Sequence, residues 1–310
     1  MSALPDPLVA GSPLAATLDA YRTCELVTVG RDGSPAAWPT SGMVRADGTI
    51  LLTTSIGYPQ KAFNVRREPR VALLFSDPTG SGLTDPAQIL VRGVADCPDQ
   101  VHTDPTGELA DFWARMFARQ PKCRGYLDWP ATTVTDFYFM RLLITVAPTE
   151  VSTRPLPPPA APPADTGLVG GRVLAAYPTV VLAARDDAGA PVLVRTTASA
   201  EETGFRVAVP DDVPVAAGSA TLLVHRHDEK LWNLHNANVR GDLVRDDDGW
   251  LLRPTLLVEP GARHRSGPFE PLRTLRTCRT TTRRYLAYRH RPRPAVPWSA
   301  YRAIRATVTG

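Results

Sequence analysis

The sequence predicts a mainly β protein with small helices, built as two tandem barrels with Greek-key-like connections. Three observations predict it. Short apolar runs are separated by glycine turns, Gly30-Arg31-Asp32-Gly33 and Ala46-Asp47-Gly48 among them, rather than by the long helices of a parallel sheet. Residues 155–163 hold six prolines in nine positions, which suits an extended spacer and no helix or sheet interior. The chain on the two sides of that spacer is also similar to itself.

Taken in order, residues 13–21 read as a short helix, with Ser12 as its cap and Pro13 at its first position. Strands are expected at 26–29 and 36–44, either side of the first glycine turn, and at 49–54 after the second. Pro59 can open a helix over 59–67 that Pro69 stops. Residues 71–75 and 88–95 read as two more strands. Leu109, Phe112, Trp113, Met116 and Phe117 recur at helical spacing, the pattern of a packed helix face. A last strand is expected over 136–146. Six or so strands then close on each other as a barrel.

Shifted by 156 positions, residues 18–52 fall on the second half without a gap, with nine identities in 35 positions. Leu26, Gly33, Pro35, Thr40 and Gly48, for example, fall on Leu182, Gly189, Pro191, Thr196 and Gly204. Further on, Leu73-Leu74 matches Leu222-Leu223, and Val91-Arg92-Gly93 matches Val239-Arg240-Gly241. This is the signature of a tandem duplication. The expected organisation is a first barrel over 1–153, a linker over 154–166, a second barrel over 167–260 and an Arg-rich tail over 261–310.

Composition sets the class. The 310 residues are 43% hydrophobic and 21% charged, as in a soluble globular protein, and no apolar run approaches the ~18–20 residues of a membrane span. Residues 1–13 lack the basic start and apolar block of a signal peptide. Cys24, Cys97, Cys123 and Cys278 form no CxxC pair, so neither a zinc site nor a disulfide framework is expected, and a cytoplasmic location follows. The tail carries twelve arginines against Glu270, a net charge of +11 that leaves −7 on the rest of a +4 chain.

Only three lysines occur, Lys61, Lys122 and Lys230. Lys61 follows Thr53-Thr54-Ser55-Ile56-Gly57-Tyr58-Pro59-Gln60, just inside the expected helix start. Free backbone N–H groups at a helix N-terminus, hydroxyls and a point charge are the parts of a phosphate site. A capped surface helix with a solvated lysine is the competing reading, and spacing alone leaves both open.

The succession Val29-Gly30-Arg31-Asp32-Gly33-Ser34-Pro35, then Asp47-Gly48-Thr49-Ile50, then Ser55 through Lys61-Ala62-Phe63-Asn64-Val65-Arg66-Arg67-Glu68-Pro69-Arg70-Val71 resembles the pyridoxamine 5′-phosphate oxidase-like split β-barrel superfamily. The resemblance covers about 13–150 and, more faintly, 172–258. It implies tandem split barrels of the FMN-binding type and a flavoprotein oxidoreductase that transfers hydride between bound FMN and a small-molecule substrate. The deazaflavin coenzyme F-420 is the alternative cofactor, since the run from Lys61 to Val71 also resembles the deazaflavin-using branch; haem is a lesser one. It implies that Thr53, Thr54, Ser55 and Lys61 hold the cofactor phosphate and that Trp38, Pro39, Thr40 and Ser41 lie along the ring system. Asn64 and Arg67 match the following helix, in a supporting role. The substrate-phosphate residues of the authentic oxidases have no counterpart near the chain end, so that activity is not expected here. No catalytic acid or base is assigned, because the hydride comes from the cofactor.

The second unit lacks seven residues where the first has its phosphate loop, and Asp211 and Asp212 stand there instead. The expectation is one cofactor site per chain, with the second barrel as its other wall: a pseudo-dimer in one chain, able to form a homodimer, with NAD(P)H as a candidate reductant. His225, His227 and His235 have a spacing that would suit a metal or haem, but hydrogen-bonded or solvated histidines are the preferred reading, and no metal is assigned. Arg273, Arg276, Arg279, Arg283 and Arg284 fall on one face of a tail helix, opposite Leu272, Leu275 and Leu286. Nucleic-acid binding through that face is the third hypothesis, after a non-catalytic flavin- or haem-binding protein. It ranks below a helix resting on the acidic remainder.

Overall fold

The computed structural model describes residues 8, 11–158, 160–259 and 270–309. Most of the N-terminal stretch read above, one linker proline and the first nine residues of the tail therefore lie outside the described residues. The first unit runs α1 (Pro13–Ala20), β1 (Cys24–Val29), β2 (Pro35–Thr40), β3 (Gly42–Val44), β4 (Ile50–Ser55), α2 (Gln60–Arg67), β5 (Arg70–Phe75), β6 (Ala87–Asp96), α3 (Glu108–Arg119), α4 (Asp136–Phe139) and β7 (Arg141–Pro155). The second runs α5 (Gly171–Leu174), β8 (Val180–Arg185), β9 (Pro191–Thr196), β10 (Ala198–Ala200), β11 (Phe205–Val207), β12 (Gly218–Arg226), β13 (His235–Asp246) and β14 (Gly249–Val258). Helices α6 (Glu270–Tyr288) and α7 (Trp298–Thr307) follow.

Each unit is a curled, seven-stranded antiparallel sheet, and the two sheets have one topology. The first has the order β2-β1-β5-β6-β7-β4-β3, and the second, read from its far edge, β9-β8-β12-β13-β14-β11-β10. Registers repeat as well: Leu26 faces Trp38 and Leu182 faces Val194, each displaced by 156. Even the irregularity is copied, with a bulge at Arg92/Gly93 and another at Arg240/Gly241. Both glycines are obligatory there. A Cβ on Gly93 would lie 2.5 Å from the Ala147 carbonyl oxygen, and one on Gly241 would lie 2.0 Å from that of Arg253. These shared details fit a tandem duplication.

Three sequence expectations change. Residues 36–44 form two strands, not one: after Ser41 the chain leaves β1 and continues on β4, so β2 and β3 edge the sheet at opposite sides. Each sheet consequently has seven strands rather than six. Residues 136–139 form the short helix α4, and β7 starts only at Arg141 but runs on through Pro155, into the proline-rich stretch.

All six residues of β1 are buried, because the strand is covered on both faces. Cys24 and Leu26 point into the barrel with Leu52, Leu73 and Leu142. Val27 points outward and packs with Ala37, Ala72 and Leu74 on Val181, Ala183, Leu193 and Leu223 of the second unit. At roughly 1.5–3 kcal/mol per fully buried Val or Leu, this apolar contact is enough to hold the two sheets face to face. A separate core forms on the outer face of β4. Leu51 packs there beneath Trp113 and Phe117 of α3, Phe139 of α4 and Tyr301 of α7. The apolar stripe of α3 is thus packing, as expected. Helix α6 buries Cys278, Thr282, Tyr285 and Leu286, while Leu272 is exposed; its arginines at 273, 276, 279, 283 and 284 face outward.

Candidate functional site

Glu25 is the outward neighbour of Val27 and is fully buried between the units. It meets His225 Nε2 at 2.6 Å and Arg195 Nη2 at 2.8 Å, and accepts from Ser76 Oγ at 2.9 Å. Arg195 also donates to Ser76 Oγ and Thr179 Oγ1, and its backbone N–H donates to Gln88 Oε1. Burial pushes the Glu25 carboxyl up, but the His225 hydrogen bond, the Arg195 charge and Ser76 outweigh it and hold the group below its usual range. His227 reaches Thr23 Oγ1 at 3.1 Å and Asp77 at 3.4 Å. His235 is bonded to the Tyr177 hydroxyl and, at 2.7 Å, to Glu259. The three histidines are therefore hydrogen-bonded, and two of them are buried.

Several cavities open between the two units. The first is walled by β2 and α2 of one unit and β13 of the other. Ala37 faces the apolar contact, whereas Ala36, Trp38, Gln60 and Asn64 line a cavity of about 510 Å³ together with Arg240. Alternation along β13 explains Arg240: Ala237 and Val239 fill the second barrel, so Asn236, Asn238 and Arg240 face away from it. Further along β2, Pro39, Thr40 and Ser41 border a smaller cavity of about 190 Å³ with His225, His227 and Asn236. The predicted ring-side residues thus follow one another along the end of β2 and the link after it, but divide between two cavities.

Helix α2 is fixed by its own side chains. Asn64 Nδ2 donates to Thr28 Oγ1 at 2.9 Å inside the barrel, and Arg67 donates to Asn64 Oδ1 and to the Val29 carbonyl. Both residues hold the helix against β1. Pro59 is the N-cap, and the backbone N–H groups of Gln60, Lys61 and Ala62 have no protein acceptor among the described residues. Lys61 Nζ lies 5.9 Å from the centre of the Trp38 ring, with no hydrogen-bond or ion-pair partner among the described residues. Burial, aided by the charge of Arg141 and opposed by Cys24, lowers its pKa to about 8.

The hydroxyls of the preceding loop differ in availability. Thr54 Oγ1 donates to the Tyr58 carbonyl at 2.8 Å, and Ser55 Oγ donates to that of Phe137 at 2.5 Å and accepts from Gly57 N–H. Gly57 is itself covered by Phe137 and Cys278. Thr53 Oγ1, in contrast, is buried with no partner, as are Asn238 Oδ1 and Arg240 Nε on β13 of the second unit. Buried polar atoms without partners are costly, so such orphans mark places suited to a polar ligand. Arg240 was not singled out from sequence as a site residue. Its signal was the repeated Val-Arg-Gly, whose arginine precedes the bulge in both copies.

No protein-family model matches the sequence, and no curated protein matches it. Solved structures do resemble it. A putative pyridoxamine 5′-phosphate oxidase from Listeria innocua is 16% identical, covering 45% of this chain and 94% of its own, with a TM-score of 0.30. An F-420 reductase is 25% identical over 44% and 94%, with a TM-score of 0.32. HutZ, a haem storage protein from Vibrio cholerae, is 14% identical over 46% and 92%, with a TM-score of 0.31. Each likeness spans less than half of this chain. Scores of that size add no argument to the strand order and register. No helix among the described residues is long and apolar enough to cross a membrane.

Proposed function

We propose that this chain binds a phosphate-bearing flavin or deazaflavin in the cleft between β2 and β13 and acts as an oxidoreductase on a small molecule. The observation that carries the reading is the unpartnered Lys61 ammonium beside Trp38, at a helix N-terminus with free N–H groups. The orphaned Thr53 hydroxyl and Arg240 Nε–H could donate to an anion, and the Asn238 amide oxygen could accept from an N–H or O–H of a polar ligand. Lys61 and Thr53 would hold the phosphate. Trp38, with Pro39, Thr40 and Ser41 beyond it, would border the ring system, and Arg240 and Asn238 of the second unit would form the facing wall. Thr54 and Ser55 shape the loop through their carbonyl contacts. The cofactor, when bound, supplies hydride transfer; the protein binds it, orients it and limits solvent access. Haem is not favoured, because His225, His227 and His235 are already engaged by carboxylates and hydroxyls.

Mass spectrometry of the ligand released from purified protein tests this directly. FMN or a deazaflavin is the expected mass, at one per chain. Reduction of the bound chromophore by NAD(P)H or a reduced deazaflavin, followed by reoxidation with turnover, separates an enzyme from a carrier that never turns over. Protein that neither carries nor takes up either cofactor overturns the reading.

A further inference from the structure

Arg141 opens β7, opposite Ser55 of β4, and a backbone bridge to His102 pins it from the other side. Because opposed residues of a ladder share a face, Arg141, Ser55 and Thr53 all lie on the outer face of these two strands. The guanidinium is sandwiched between the Trp113 ring, 4.8 Å away, and the Tyr138 ring, 4.4 Å away. The residue is 7% exposed, its Nε is buried with no partner, and it forms no ion pair with a described carboxylate.

This is an unusual place for an uncompensated cation. Burial takes the guanidinium out of water, and cation–π contact with two rings offsets only part of that cost. A second unpaired cation lies close along the chain: Ser55, opposite Arg141, starts the tight turn closed by Tyr58 N–H on its carbonyl, and that turn leads into α2, whose second residue is Lys61; the Arg141 charge adds to burial in lowering the Lys61 pKa. Thr53 Oγ1, orphaned on the same outer face, supplies a neutral hydrogen-bond donor. Two cations and a hydroxyl, with no described carboxylate among their partners, lack about two negative charges.

We propose that Arg141 is the second cation of the Lys61 anion site, and that the site therefore selects a terminal phosphate monoester, a dianion, over an internal phosphodiester, a monoanion. This rests on the cofactor reading above and sharpens it, since FMN ends in a monoester whereas the phosphate of coenzyme F-420, like those of FAD, is internal. Tyr138 and Trp113 are positioning residues that hold the guanidinium plane.

The test titrates wild type, Arg141→Met, Arg141→Lys and Thr53→Val with FMN, riboflavin, FAD and coenzyme F-420 at pH 7.5, with inorganic phosphate protection against thermal unfolding measured in parallel. Charged hydrogen bonds of this kind imply that Arg141→Met weakens FMN by about ten- to a hundredfold and riboflavin hardly at all, with Arg141→Lys recovering part of the loss. Thr53→Val, which preserves shape, is expected to weaken FMN less and to report on the same site if Arg141→Met fails to fold. FMN binding unchanged in Arg141→Met, or tighter wild-type binding of either phosphodiester, overturns the proposal while leaving the cofactor reading intact. If wild type binds none of these cofactors, the cofactor reading falls, and phosphate decides the anion site alone. Protection that is lost in both Arg141→Met and Lys61→Ala supports the site, and no protection of wild type removes it.

Discussion

The two clefts between the units are built from equivalent strands and have opposite electrostatic outcomes. In the first, Trp38 and Arg240 face a cavity of about 510 Å³, and Arg240 has no ion-pair partner among the described residues. In the second, the equivalents are Val194 and Arg92, and the cavity is about 240 Å³. There Arg92 is held by Asp186 at 3.0 Å and Glu150 at 3.8 Å, and Arg154 by Asp212 at 2.6 Å. Asp212 belongs to the segment that stands where the first unit has its loop and helix α2. In the second cleft the arginines form ion pairs, whereas in the first Asp32 lines the same cavity as Arg240 and feels its charge without forming an ion pair with it. A shared topology constrains where the cleft lies, but a few side chains decide whether it can hold an anion.

The largest expected effect comes from the Glu25 cluster between the units. Arg195→Ala leaves Glu25 buried without its cation and is expected to cost about 3–5 kcal/mol of stability in chemical denaturation. A loss below 1 kcal/mol would show that the clefts do not depend on this pair. The same pair sets an acid limit. Glu25 has a depressed folded pKa, so its contribution is complete above its unfolded value and is lost as pH falls through the folded one. A denaturation midpoint that declines on acidification in wild type, and less so in Glu25→Gln, is the expected result.

Next in size is Lys61→Ala, expected to weaken flavin phosphate binding by about ten- to a hundredfold, while Lys122→Ala and Lys230→Ala leave it unchanged. Equal affinity in all three variants would erase the distinction between the clefts. A smaller effect is read against pH. Lys61 titrates near 8 in the free protein, so a bound dianion must raise its pKa, and binding takes up protons around pH 8. Affinity should fall by up to about tenfold per pH unit above that value, and isothermal titration in buffers of different ionisation enthalpy would detect the uptake. The Lys61 charge also opposes folding below pH 8, a penalty relieved as pH rises toward 10.5. The smallest expected effect is that of Asp212→Asn in the second cleft. Its carboxylate is largely exposed, so the thermal midpoint should stay within experimental scatter and no second flavin should bind. Two flavins per chain in that variant would mean that Asp212 alone silences the second cleft.

The repeat, most strand positions and the α2 region were legible because they depend on local pattern. Ser12 caps α1, accepting from Ala15 N–H at 3.1 Å, as the sequence suggested. The aromatic run at 136–139 misled, since Phe and Tyr suit strands, but here one helical turn feeds Phe139 into the Trp113 core. The break after Ser41 was invisible because both halves are strand-like and only pairing partners distinguish them. Glu25, Arg195 and His225 could not be assembled from sequence at all. They lie 170 and 200 positions apart, and nothing in local composition says that Arg195 faces Glu25 rather than solvent. Lys61 stood out by rarity, whereas Arg141 was one of many arginines, and its significance lies in the absence of a carboxylate partner among the described residues.

Among the described residues, the C-terminal helices pack on the cores of the first unit, and this orders events during synthesis. Tyr301 is fully buried against Trp113 and Phe139, and its hydroxyl donates to the Thr103 carbonyl across 198 residues. The aromatic outer face of the first barrel therefore emerges from the ribosome roughly 190 residues before the helix that covers it. Among the described residues, the interior core of the second barrel is built from its own side chains. A ribosome-bound chain stalled before α7 should present a completed second barrel beside a first one whose Trp113 face is still open to chaperones.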